Sequence, residues 1–340
     1  MRTSNGIVHY IPSPVSRMNS TSQSLDHRLT ECDIHITRVY DAPVARVWSA
    51  WCNAEEVACW WGPRGCSITT HERELRTGGI WRYTMHGPDG MTWPNFTRYQ
   101  AVEPEKLLVY DHGATSGDVR PAFRMAVRFR DVGGQTALDL TMTLPTAEEA
   151  TQTRAFIKAV GGETTWDRLA EYLEHSANGR EIFVINRSFG VPSTEMFDLW
   201  STPDKVAQWL APTGFSMMYR RADIRTGGHS VYSMGNGQFT MYGRADYLRV
   251  ERPTTLEYTQ SFTDEHENLS RHPAAPTWPA TMRTLVTFAE EGPAQTRVTV
   301  RWQVEGEATD EEMATFTDGR AGMTMGWTGS FDKLEALIAE

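Results

Sequence analysis

The side chains best suited to chemistry are polar groups set into alternating apolar runs. Leu108, Tyr110 and His112 are spaced two apart, so in an extended chain they share one face. Leu256, Tyr258 and Gln260 repeat that spacing further along. A phenol and an imidazole on one apolar face can both hydrogen-bond an enclosed molecule. An imidazole, which titrates near neutrality, can also move a proton. His112 is therefore the candidate general acid or base, and its plainer alternative is a solvated strand end. Gln260 can only hydrogen-bond. Near Tyr110 and His112 in this scheme come Trp81, Tyr83, Met85, Phe123 and Met125, which would either touch a ligand or pack the core. Trp60 and Trp61 precede a Gly-Pro break and would hold a short helix down or close over a bound molecule. No G-x-S-x-G, H-E-x-x-H, P-loop or dinucleotide fingerprint occurs, so no cofactor is expected. Cys66 and His71 fit no common zinc spacing, and no metal site is expected.

The elements that must position these groups occur twice. Residues 36–79 align without a gap on residues 185–228 at an offset of 149, with 14 of 44 positions identical. Arg76-Thr77-Gly78-Gly79 recurs as Arg225-Thr226-Gly227-Gly228, and Trp166-Asp167-Arg168-Leu169 pairs with Phe331-Asp332-Lys333-Leu334. A period near 150 residues is too long for a solenoid and means two homologous domains. The expected division is a disordered tail over residues 1–30, a first domain over 31–177 and a second over 178–340. Trp209, Tyr232 and Met234 then match Trp60, Tyr83 and Met85, and with Tyr258 and Gln260 they complete the candidate ligand-binding set.

Within one repeat, Asp41-Ala42-Pro43 opens a helix, with Asp41 as the expected cap. Asn53 caps a second short helix that ends at Gly62-Pro63. Period-two runs follow: Trp81, Tyr83 and Met85; Phe123 to Phe129; Leu138 to Leu144. These are antiparallel strands with one apolar face. Trp166, Leu169 and Leu173 mark a long closing helix. The class is α+β, with a single long helix available to cover the apolar face of a sheet.

These residues carry a resemblance. Tyr40-Asp-Ala-Pro43 with Val47-Trp48, Trp60-Trp61-Gly62-Pro63, Leu75-Arg-Thr-Gly78-Gly79 and Val102-Glu103-Pro104 resemble the START-like, helix-grip (SRPBCC) superfamily. Within it, they are most similar to the family of homologues of the heat-shock-protein-90 ATPase activator. The second repeat keeps the pattern more weakly and has Leu210-Ala211 in place of Trp61-Gly62. The resemblance implies two tandem helix-grip domains. In each, a curved antiparallel sheet wraps a long C-terminal helix, with two short helices after the first strand and a cavity between sheet and helix. The first repeat, nearer the family pattern, is the expected ligand site.

Three functions compete: binding of a small hydrophobic molecule; a cyclase or hydrolase acting on an aromatic or polyketide-like compound; and a chaperone-linked or self-associating interaction module. Chaperone activation is discounted, because the eukaryotic activators carry a larger domain ahead of this module and no segment of that size precedes Ile36 here. The expected partners are a small hydrophobic molecule and, in the third case, a second copy of the chain as a homo-oligomer. A formal charge of −10 argues against binding nucleic acid through its phosphates or docking on anionic membranes. No apolar run approaches the length of a membrane span. Twelve Trp, eleven Tyr, thirteen Phe and fifteen Met are enough to line a cavity as well as fill two cores. Cys32, Cys52, Cys59 and Cys66 are read as reduced and mostly buried. The N-terminal segment lacks a secretory pattern, and Met18 is a second candidate start. The expected location is cytoplasmic. The polar stretch from Thr263 to Pro276 is expected to be a mobile loop.

Overall fold

The computed structural model describes residues 29–113, 121–159, 161 and 163–340, so the expected tail lies almost wholly outside the described residues. The first half runs β1 (Asp33–Tyr40), α1 (Val44–Cys52), α2 (Ala54–Trp60), β2 (Ser67–Arg73), β3 (Ile80–His86), β4 (Thr92–Glu103), β5 (Leu107–Gly113), β6 (Phe123–Asp131), β7 (Thr136–Thr143), α3 (Ala147–Ala159) and α4 (Thr164–Asn178). The second half repeats it: β8 (Ile182–Phe189), α5 (Ser193–Ser201), α6 (Pro203–Trp209), β9 (Ser216–Ala222), β10 (His229–Gly235), β11 (Thr240–Glu251), β12 (Thr255–Thr263), β13 (Thr281–Gly292), β14 (Gln295–Val304), α7 (Asp310–Asp318) and α8 (Arg320–Ala339).

Each half forms one seven-stranded antiparallel sheet. The strand orders are β1-β7-β6-β5-β4-β3-β2 and β8-β14-β13-β12-β11-β10-β9. The architecture is therefore the α+β tandem helix-grip arrangement that the repeat implies. Each repeat closes with two helices, where the sequence pattern showed one. The helix caps differ in part from expectation. Asn53 Oδ1 accepts from the amides of Glu55 and Glu56 and starts α2. The N-cap of α1 is Pro43, without a side-chain bond, while Asp41 instead accepts from Gln135. All four cysteines are unpaired, but none is fully buried, and Cys59 is exposed because it sits on the outer side of α2.

The Thr-Gly-Gly repeats are structural clamps. Gly78 and Gly227 adopt φ of +80° and +79°, a region that L side chains avoid. The Gly227 amide donates to Tyr247 O at 2.8 Å, and the Tyr247 amide returns a bond to Gly228 O at 3.0 Å. Gly78, Gly79 and Tyr99 do the same in the first domain. Immediately beyond each clamp the pairing slips, between Tyr99 and Ala101 and between Tyr247 and Arg249. Such bulges curve a sheet. A glycine-pinned bulge at the same place in both domains thus bends β4 and β11 and aims Tyr99 and Tyr247 at the concave side.

The two domains meet through α4 and β8. Arg64 makes a two-pronged bond to Glu171 at 2.8 and 2.9 Å, and its guanidinium lies 5.2 Å from the Phe183 ring centre. Glu171 also accepts the Val184 amide at 2.8 Å, and Asn186 donates to the buried Asp167 carboxylate. Burial pushes Asp167 well above the usual carboxylate range, although Arg38 and Arg64 oppose this.

Candidate functional site

The second domain holds a cavity of about 360 Å³ between the concave sheet and α8. That is within the range of small-molecule sites, ~300–1,000 Å³. The sheet supplies Met217 and Tyr219 from β9, Tyr232 and Met234 from β10, and Tyr247 from β11. Leu256, Tyr258, Gln260 and Phe262 follow along β12. Period-two alternation puts each of these pairs and runs on one face. Met323, Trp327 and Ser330 line the cavity at helical spacing on α8. His272 and Trp278 come from the connection between β12 and β13.

That connection is the stretch expected to be a mobile loop, and it carries hydrogen bonds of its own. Its Asp264 carboxylate accepts three bonds from His266 and Asn268. Arg271 pairs with Glu312 of α7. It contributes one wall of the cavity through His272 and Trp278.

At the corresponding place in the first domain, its own indoles pack against one another. Trp61 lies 5.4 Å from Trp81, 5.5 Å from Trp51 and 6.3 Å from Trp166, and its Nε1–H donates to Tyr83 Oη at 3.1 Å. Arg73 lies over Trp81 at 4.6 Å and reaches Cys52 O and Tyr99 Oη. At the offset of 149, Trp61 becomes Leu210, Trp81 becomes Ser230 and Arg73 becomes Ala222. Two indoles and a guanidinium are thus exchanged for an isobutyl, a hydroxymethyl and a methyl group. An indole stack lies beside them in both domains: Trp51 stacks on Trp166 at 5.8 Å and 12°, and Trp200 stacks on Trp327 at 5.9 Å and 14°, although Trp327 lies one turn before Phe331, the sequence partner of Trp166. These three contractions remove bulk, partly offset by the change of Thr70 to Tyr219, which lines the cavity. This exchange runs against the expectation that favoured the first repeat as the ligand site.

The other predicted residues divide accordingly. Tyr232, Met234, Tyr258 and Gln260 line the cavity. Trp209 does not: it is fully buried and donates to Leu199 O at 3.0 Å. Trp60 is its equal in the first domain, bonded to Ala50 O at 3.0 Å. Both pin helices and are core. In the first domain Trp61, Trp81 and Tyr83 come together, and Tyr110 packs on Tyr99 at 6.3 Å and pairs across strands with Met125. Met85 lies on the edge of the same core. His112 stacks on Phe123 at 4.7 Å and meets Thr97 Oγ1 at 3.2 Å, and burial pulls it down to about 4, so it is neutral at pH 7.

Burial holds the phenols of the cavity protonated. Tyr232 is pushed up to about 12, and Tyr219 and Tyr258 are also raised, chiefly by loss of water and further by neighbouring phenols; Tyr247 is raised by loss of water, against its bonds to Ser230 and Tyr219. Tyr247 donates to Ser230 Oγ at 3.2 Å. The Tyr232 ring lies flat across Gly243, its cross-strand partner, where a Cβ would sit 2.5 Å from the ring and hydroxyl. His272 is lowered by burial, and its Nδ1 accepts the Ala274 amide at 3.1 Å, which leaves the proton on Nε2. Sequence reasoning missed Tyr219, Tyr247, His272, Trp278 and Trp327. Met217 and Tyr219 alternate, and Met323, Trp327 and Ser330 are helically spaced, so those signals were present.

Comparison with known proteins follows this duplication. The model of the family described as activator of Hsp90 ATPase homolog 1-like protein matches residues 41–174 and again 190–339. The chain belongs to this family. Two copies of the activator-homologue module thus account for most of its length. No curated protein matches the chain. Among solved structures, protein NE0264 from Nitrosomonas europaea is 24% identical over 44% of this chain and 99% of its own, with a TM-score of 0.41. Ms6760 from Mycobacterium smegmatis is 21% identical over 46% and 89%, with a TM-score of 0.39. The di-domain ARO/CYC protein BexL from the BE-7585A biosynthetic pathway is 12% identical over 89% and 97%, with a TM-score of 0.37. Among the described residues, no helix is long and apolar enough to cross a membrane.

Proposed function

We propose that this activator-homologue protein binds a small, largely apolar molecule in the cavity of its second domain, and that the first domain serves as a solid structural partner. The observation that carries this is the exchange of Trp61 and Trp81 for Leu210 and Ser230. An apolar surface with a few neutral polar groups is how small-molecule sites are built. The lining includes no Asp, Glu, Lys or Arg, and His272 is its one imidazole, so binding takes precedence over proton-transfer chemistry.

The test is native mass spectrometry of the protein purified from its host, beside the Leu210→Trp variant. That substitution restores the first domain's indole and fills the cavity. A small-molecule mass carried by the wild type and lost in the variant is the expected result. A mass retained by the variant, or no mass on either together with no tryptophan-fluorescence response to neutral aromatic probes, would overturn the reading.

A further inference from the structure

The lining of the cavity narrows what it can hold. We infer that the occupant is an uncharged aromatic molecule bearing hydrogen-bond acceptors of the carbonyl or ether type, met by the Tyr232 hydroxyl, the Gln260 amide and the Nε2–H of His272. This rests on the binding reading above and specifies its ligand class.

The argument begins with which polar groups are free. Ser330 is committed to Leu210 O at 2.7 Å and Tyr247 to Ser230 Oγ at 3.2 Å. Tyr232 and Gln260, by contrast, have no hydrogen-bond partner among the described residues, although both line the cavity. His272 spends Nδ1 as an acceptor for the Ala274 amide, so its remaining ring nitrogen is a donor. All three uncommitted groups can donate, and Tyr232 and Gln260 can also accept. A molecule that offers only donors would still leave the His272 N–H unmet, and an unmet donor in a cavity is costly.

Charge is excluded by the same lining. No cationic side chain stands ready to neutralise a carboxylate, and no acidic one to meet an ammonium. Burying an ion without its partner is strongly unfavourable. The rings determine shape. Trp200 and Trp327 form a near-parallel pair at 14°, and Tyr219 and Tyr232 meet at 78°. Flat and edge-on faces suit a planar ring system. Met217, Met234 and Met323 give the rest of the wall its adaptability.

The experiment is a set of titrations of the full chain, followed by tryptophan fluorescence and calorimetry, with four probes of one skeleton. They are fluorene, 9-fluorenone, 9-fluorenone-4-carboxylate and 2-(aminomethyl)fluorene. Fluorenone is expected to bind roughly tenfold more tightly than fluorene, as one or two neutral hydrogen bonds allow. Both ions are expected to bind more weakly than fluorenone. The Tyr232→Phe/Gln260→Leu double variant should lower fluorenone to the affinity of fluorene while leaving fluorene unchanged. Equal binding of fluorene and fluorenone, or tightest binding of either ion, would overturn the ligand class and leave cavity binding standing. Failure of all four to bind would overturn the binding reading itself.

Discussion

Trp61 donates its indole N–H to the hydroxyl of Tyr83 across 3.1 Å, while at the matching positions of the second domain Leu210 and Tyr232 share no such bond. One substitution therefore does two things: it vacates the volume of an indole, and it releases a buried phenol from its partner. The first domain is closed and satisfied at this point. The second is open and carries a free donor there.

This relationship predicts that the first domain can be opened. Trp61→Leu with Trp81→Ser copies the second domain into the first. Each large-to-small change should cost about 3–5 kcal/mol of stability, less where the neighbours relax. The melting temperature should fall, and binding of a neutral aromatic probe, measured calorimetrically, should rise from one site per chain to two. An unchanged stoichiometry with a folded variant would mean that the indoles do not seal a site.

Arg168 predicts how the mouth of the sheet is held. Its guanidinium reaches the carbonyls of Cys59, Trp61, Gly62, Pro63 and Cys66 at 2.8–3.3 Å and ties α4 to the loop after α2. Lys333 takes the same role in the second domain, with Ala211 O at 3.0 Å and Phe215 O at 3.4 Å. Arg168→Met removes the donors and leaves part-buried carbonyls unmet, for an expected loss of about 1–3 kcal/mol in denaturant unfolding. Arg168→Lys should recover part of that, because an ammonium can serve fewer carbonyls at once.

His112 predicts a pH dependence. Its pKa is near 4 in the folded chain and about 6.5 when unfolded. Between those values the unfolded state binds more protons, so stability falls as pH drops from about 6.5 to about 4. His112→Gln, the second domain's choice, removes that contribution. The gap in unfolding free energy between wild type and variant should therefore shrink or change sign over this window, by at most about 3 kcal/mol. A constant gap would place the imidazole in water.

Much of the fold could be read from the chain because a duplication displays its own constraints. The gapless match ending in Thr-Gly-Gly located the clamp, and alternation along Tyr110 and His112 assigned the face. The cavity was harder to read, for a physical reason. Trp, Tyr and Met lie along the inner face whether they pack or surround a space, and only the volumes of facing residues decide. Closeness to the family pattern favoured the first domain, but the pattern's own Trp61, with Trp81, supplies bulk there that Leu210 and Ser230 do not. His272 and Trp278 were not assigned to the site because they lie in an irregular connection with no period to follow. That connection is fixed by Asp264 and by the Arg271–Glu312 pair, whose partners are far apart in sequence.

Two glycines separate the placement of the cavity's phenol from general stability. A Cβ at Gly243 would lie 2.5 Å from the Tyr232 ring and hydroxyl, so Gly243→Ala must push that phenol off the strand and into the cavity. The expected result is a loss of roughly tenfold or more in affinity for a carbonyl-bearing probe, at a cost of about 1–3 kcal/mol in stability. Gly322 also lines the cavity, but it lies inside α8 and a Cβ there meets nothing within 4 Å. Gly322→Ala should therefore stabilise the protein by about 0.5–1 kcal/mol through helix propensity, with little change in affinity. The two alanines add the same methyl group, one on β11 against the Tyr232 ring and one on the α8 side of the cavity. If both lowered affinity equally, the effect would come from lost volume, and the position of the Tyr232 hydroxyl would not matter. If only Gly243→Ala does so, the flat seating of Tyr232 on β11 is what the ligand requires.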